Sequence, residues 1–177
     1  MSKYEELASV AIDFGLRLSR NQDNCRGFAG GLMCGLAEYL ELPQTRFFYA
    51  ELLALDPEFN FKTPGDARVD LGWPTLREGR DGFFYFAVQI HFTRPKGNMD
   101  VYLPFGVLQS GDDFLVLRGQ TKKKTQINPE SDEDREAFFG AVFDDLKEWF
   151  LQPVGEARTR FGFFVVSSGT VHFSPVL

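Results

Sequence analysis

Histidine and cysteine are scarce, two of each in 177 residues. A zinc or similar centre gathers three or four such ligands into one place. Cys25, Cys34, His91 and His172 are too dispersed along the chain to supply them, so no metal and no cofactor is expected. If Cys25 and Cys34 share a helix, the chain between them turns through about 900° and rises ~13 Å. A disulfide between the two is then excluded. Positive charge is also in deficit. Lys and Arg number 19 against 25 Asp and Glu, a net charge of -6, which disfavours general attraction to nucleic acid or to an anionic membrane. The one basic run, "TKKKTQ" at Lys122 to Lys124, has no aromatic residues interleaved for base stacking and reads as a solvated loop. No apolar run reaches membrane-spanning length. The first residues, "MSKYEELASVAIDFGLRLSR", lack the uninterrupted apolar stretch and cleavage site of a secretory signal. A reducing cytoplasm is the expected location.

What the sequence has in excess is phenylalanine, with 20 Phe against 5 Tyr and 2 Trp. Such side chains fill a core first. They can also line an apolar pocket or leave an exposed patch for a partner. The length suits a single domain over residues 1–177. Helical spacing of Leu7, Val10, Ala11, Phe14 and Leu18 predicts a helix over residues 4–19. The polar "SRNQDN" is read as its end and as the cap of a second helix, marked by Phe28, Leu32, Leu36 and Leu40 and stopped before Pro43. Residues 46–56, "RFFYAELLALD", are open between helix and strand. From about residue 66 the runs "ARVDLGW", "GFFYFAVQIHFT", "NMDVYLPFGVLQS" and "FLVLRGQ" read as an antiparallel β-meander. A third helix is expected near 131–151, with Ser131 or Asn128 at its start and acids in its positive first turn. The chain is expected to close with a C-terminal β-hairpin turning at Ser168 and Gly169. The fold class expected is α+β, with helices covering one face of the sheet.

The stretch "NQDNCRGFAGGLMCGLAEYL", residues 21 to 40, admits three readings. A phosphate loop is disfavoured, because "GFAGGLMCG" has neither the terminal Gly-Lys-Ser/Thr nor a G-x-G-x-x-G after a strand. Close packing is preferred: Gly31 and Gly35 lie one helical turn apart among small residues, each glycine losing roughly 1 kcal/mol relative to alanine. Cys25 and Cys34 are then small core residues.

The third reading makes Cys25 a nucleophile at a helix N-terminus. Here Asn24, Cys25, Gly27 and Phe28 in "DNCRGF" resemble the opening of the catalytic helix in papain-like cell-wall amidases and peptidases. Arg26 stands where that family commonly has serine, and "TPGDA" at Thr63 to Ala67 looks like its Pro-Gly-Asp turn. The resemblance implies a cysteine hydrolase that needs a histidine on the sheet and a polar residue to orient it. Alternation along the strand sets Tyr85, Gln89 and His91 on one face and Phe84, Phe86, Val88, Ile90 and Phe92 on the other. A turn over Arg94 to Gly97 with Pro95 as its second residue places His91 opposite Asp100 and Gln89 opposite Tyr102. Cys25, His91 and Asp100 are the catalytic set of this alternative. His91, unlike the family's histidine, stands near the end of its strand. Tyr85, Gln89, His91 and Tyr102 are the candidate ligand-binding set. The principal expectation is a regulatory or inhibitory binding module for a protein partner or a small apolar ligand. A homodimer is one form it can take.

Overall fold

Ser2 starts the first helix through a reciprocal cap. Its hydroxyl accepts from the Glu5 amide at 3.2 Å, and the Glu5 carboxylate accepts from the Ser2 amide at 2.6 Å, which satisfies two otherwise orphaned donors. From there α1 runs without a break over Lys3–Tyr39. The computed structural model describes residues 2–50, 74–94, 97–119, 123–151, 164–167 and 170–171. Among these there are two helices, which corrects the expectation of two N-terminal helices and three in all. "SRNQDN" contains neither proline nor glycine, and polarity alone does not end a helix. Three of its side chains find partners in place. Asp23 pairs with Arg26 one turn on, Asn21 accepts from the Cys25 thiol, and Asn24 donates to Gln109 of the sheet at 3.0 Å. The helix ends when Glu41 enters the left-handed region (φ 53) and the Leu42 amide reaches back to the Ala37 carbonyl, a Schellman closure.

The sheet is antiparallel throughout its described pairings. Its strands are β1 (Phe47–Ala50), β2 (Arg77–Glu78), β3 (Phe84–Arg94), β4 (Gly97–Ser110), β5 (Asp113–Arg118), β6 (Lys123–Ile127), β7 (Phe164–Ser167) and β8 (Thr170–Val171). The long hairpin β3–β4 is the spine. β1 and β2 share the outer side of β3, while β5 and β7 share the outer side of β4. β5 pairs from Phe105 onward and β7 pairs up to Tyr102, so Pro104 sits between them. In an antiparallel strand a residue's N and C=O point the same way. The Pro104 carbonyl accepts from the Gly119 amide on the β5 side, so its nitrogen, which has no hydrogen to donate, faces the junction between the two strands. Residues 46–56 are strand over Phe47–Ala50, with Arg46 ending a short 3-10 turn; 51–56, together with "TPGDA" and "ARVDLGW", lie outside the described residues.

The helix α2 spans Asp132–Leu151. Ser131 caps it by accepting from the Asp134 amide, and Asp134 in turn accepts from the Asn128 amide. The expected C-terminal hairpin is corrected too. Among the described residues α2 is the last long element, and β7 is an added strand of the sheet beside β4 that pairs in turn with the two-residue β8.

Both helices pack on one face. Cys25, Ala29, Leu32, Met33 and Leu36 of α1 join Phe138, Val142 and Leu146 of α2 over Phe84, Phe86, Val88 and Ile90 of β3 and Val101, Leu103 and Phe105 of β4. Phe28 stacks on Phe114 at 4.0 Å with the rings nearly parallel. On the opposite face Phe83, Tyr85, Ala87, Tyr102 and Leu117 form a smaller buried cluster. Among the described residues phenylalanine is therefore largely core. Asp145 ties α2 to the sheet edge: it accepts from Arg118 Nε at 2.8 Å and Lys123 Nζ at 2.7 Å, and Arg118 also reaches Thr125.

Of Gly31 and Gly35, close packing accounts for Gly35 alone. A Cβ on Gly35 would lie 2.8 Å from the Phe139 ring, whereas Gly31 and Gly27 face open space; nothing in the structure explains glycine at those two. Gly35→Leu is therefore expected to destabilise by about 1–3 kcal/mol through overpacking. Gly31→Ala is expected to stabilise by up to about 1 kcal/mol. Urea midpoints with unchanged slope check both. Asp145→Ala leaves Arg118 and Lys123 without their carboxylate. With Lys123 partly exposed, the loss is expected at about 2 kcal/mol, below that of a fully buried pair. Urea unfolding at low salt measures it without screening.

Candidate functional site

The register of β3–β4 places Phe92 opposite Met99, His91 opposite Asp100 and Gln89 opposite Tyr102, as the turn at Pro95 implied; Pro95 itself lies outside the described residues. His91 Nδ1 and Asp100 Oδ1 are 2.6 Å apart, with the side chains 23% and 20% exposed. An aspartate so placed fixes ring orientation and tautomer, which is one requirement of a histidine base.

Cys25 does not join them. It is fully buried in the cluster that contains Ile90 and neighbours Phe92. Successive residues of a strand point to opposite faces, so His91, between Ile90 and Phe92, projects from the other side of the sheet. The β-sheet itself separates the thiol from the imidazole. Cys25 also lies deep inside α1, more than six turns from its N-terminus, where no terminal dipole stabilises a thiolate. Burial pushes its pKa up to about 11, partly offset by a backbone hydrogen bond at Gln109. The Cys25–His91–Asp100 hydrolase is thus corrected: the residues that carried the resemblance are core packing on one side and a cross-strand pair on the other. Among the described residues no three His, Cys, Asp or Glu side chains are grouped to hold a metal ion.

The candidate ligand set falls on one face, in two environments. Tyr85 and Tyr102 are buried in the second cluster, and Gln89 and His91 are half-buried beside them. The Tyr85 ring lies against Gly106, where a Cβ would come within 3.0 Å, and its hydroxyl donates to Asp81 Oδ2 at 2.5 Å. Burial raises the Tyr102 hydroxyl well above its ordinary pKa, and nearby Asp100 adds to the effect.

A different feature dominates the surface. The first half of α1, Lys3–Arg20, carries no buried residue; the helix's whole buried set begins at Cys25. On this arm Tyr4 is 80%, Leu7 68%, Ile12 65% and Phe14 61% exposed, and Val10 and Leu16 more than half. The arm extends roughly 27 Å. An open cavity of about 450 Å³ adjoins its flank at Val10, Asp13, Leu16, Arg17 and Arg20. Among the described residues no helix is long and apolar enough to cross a membrane. The amphipathic spacing of Leu7, Phe14 and Leu18 was legible in the sequence. Its exposure, with no buried residue among Lys3–Arg20, was not, because spacing does not say against what a face packs.

Iodoacetamide is expected to modify Cys34, which is exposed, and to leave Cys25 essentially unlabelled in the folded chain. A raised thiol pKa means less thiolate at neutral pH, so burial and ionisation act in the same direction. Mass mapping of the adducts checks this, and His91→Ala is expected to leave both rates unchanged. No protein-family model matches the chain, and comparison with curated proteins and with solved structures gives no match either.

Proposed function

We propose that this protein is a partner-binding module and that its contact element is the arm Lys3–Arg20. The carrying observation is the run of large apolar side chains left in solvent along that arm. Isolated helices of this length are marginal in water, and helices in proteins draw most of their stability from packing of an apolar face. Here capping by Ser2 and continuity with the packed half of α1 hold the helix, while its own apolar side chains contribute nothing until they are covered. Covering a Leu or Phe side chain contributes on the order of 1.5–3 kcal/mol. An arm with several of them is suited to an interface of the helix-in-groove or helix-pair kind.

A photo-crosslinking residue at Phe14, in cells that make the protein, tests this. A discrete adduct that is lost in the Leu7→Glu chain is expected. The Leu7→Glu and Phe14→Glu substitutions should leave the thermal unfolding of the body within about 0.5 kcal/mol of the parent, since neither side chain packs against it. Absence of any adduct at Phe14, with adducts formed equally from sites on the body, would refute the assignment.

A further inference from the structure

The partner of the arm can be named from the arm's own pattern. We infer that it is a second copy of this chain, the two arms lying antiparallel; the inference rests on the arm being the contact element. Tyr4, Leu7, Ala11, Phe14 and Leu18 follow the alternating three- and four-residue spacing of a coiled-coil seam. The seam runs in phase through Asn21 into Cys25, Phe28 and Leu32, which face the sheet. The exposed seam is thus the outward continuation of a packing face, not of the helix's solvent side.

Antiparallel pairing about a two-fold axis between Ile12 and Asp13 makes this seam complementary to itself. Leu7 meets the partner's Leu18, and Phe14 meets the partner's Ala11, a large knob against a small residue in both halves of the pair. Tyr4 falls level with the partner's Asn21, where both side chains have polar atoms. Parallel pairing would stack Phe14 on Phe14 and Ala11 on Ala11, leaving one layer crowded and another hollow.

Charge selects the same direction. Glu5 and Glu6 lie at one end of the arm, Arg17 and Arg20 at the other. Antiparallel arms bring the acidic end of each alongside the basic end of its partner, with Glu5 level with the partner's Arg20 and Glu6 within ~3 Å axially of the partner's Arg17. Parallel arms would align like with like. The arm as a whole is balanced, Lys3, Arg17 and Arg20 against Glu5, Glu6 and Asp13, which removes the basic excess that an anionic membrane surface would require. The pattern also makes the contact isologous, the arrangement that closes a two-fold dimer. The open cavity along Val10, Asp13, Leu16, Arg17 and Arg20 borders the seam on one flank and takes in none of Tyr4, Leu7, Ala11, Phe14 and Leu18.

Sedimentation equilibrium of the full-length chain over a range of concentrations and salt tests the inference. A monomer–dimer equilibrium is expected, weakened at high salt, with Phe14→Glu raising the dissociation constant at least tenfold and leaving the near-ultraviolet circular dichroism of the body unchanged. Direction is read from disulfide trapping in a Cys34→Ser background. Chains carrying Leu7→Cys are expected to cross-link when mixed with chains carrying Leu18→Cys, and neither alone. Self-linking of the Leu7→Cys chain would overturn the antiparallel arrangement. A dimer unaffected by Phe14→Glu would place the interface elsewhere and overturn the inference. A strictly monomeric chain overturns it as well, and the photo-adduct at Phe14 then separates the two claims. An adduct with a different protein leaves the arm as contact element with another partner, whereas no adduct removes both.

Discussion

The pairing of β3 with β4 governs where every other group stands. The register extends from Phe84 opposite Val107 to Arg94 opposite Gly97 without slipping. A slip of one residue on either strand would turn its whole apolar set toward the wrong face. Each end of this ribbon is widened by a different short strand, and Pro104 occupies the place where β5 gives way to β7. Once the ribbon is set, Phe84, Phe86, Val88 and Ile90 must meet the helices, and Tyr85, Gln89 and His91 must not. That alternation separates Cys25 from His91 more firmly than any distance along the chain could.

The local motif around Cys25 therefore has a packing explanation that is complete without chemistry. A thiol with its pKa raised to about 11 by burial behaves as a small apolar group. Its neighbour Asn24 reaches Gln109 and Phe28 stacks on Phe114, so this part of α1 is the point where the helix is fastened to the sheet. Farther along, Gly35 admits the Phe139 ring and allows α2 to approach, and Tyr39 also contacts that ring. Asp145 then holds α2 to β5 and β6 through two cations. The body is thus fastened by aromatic contacts near its middle and by an ionic contact at its edge.

Some of this was readable from residues alone, and the reasons differ by element. The register of β3–β4 was legible because Pro95 in a short turn and strict alternation over a long strand leave few competing pairings. The interval around α2 was legible because Ser131, three acids and the spacing of Phe138, Val142 and Leu146 agree. The unity of α1 is hidden by "SRNQDN", because a polar stretch has the same composition as a break between helices. The available signal was the phase, since Leu18, Asn21, Cys25 and Phe28 keep one seam across "SRNQDN". Gly31 shares a turn with Gly35 and so looks like a packing position, yet spacing along a helix does not say where a second helix crosses it. The hydrolase reading failed for a related reason. A cysteine, a histidine and an aspartate in the right chain order say nothing about which side of a sheet each will face.

The continuity of α1 also bears on how the arm would act. A separate N-terminal helix on a flexible joint would present its apolar face in many directions and lose orientational freedom on binding. A single helix fastened at Asn24, Cys25 and Phe28 holds the arm in one direction before any partner arrives, which lowers the entropy lost on association. Seam phase and fastening are linked: rotation of the body half about the helix axis would turn the arm's apolar stripe with it. The contacts that bury Cys25 and seat Phe28 on Phe114 therefore also aim Leu7, Phe14 and Leu18. In this molecule the stretch that looks like a catalytic motif serves as the anchor of the exposed helix.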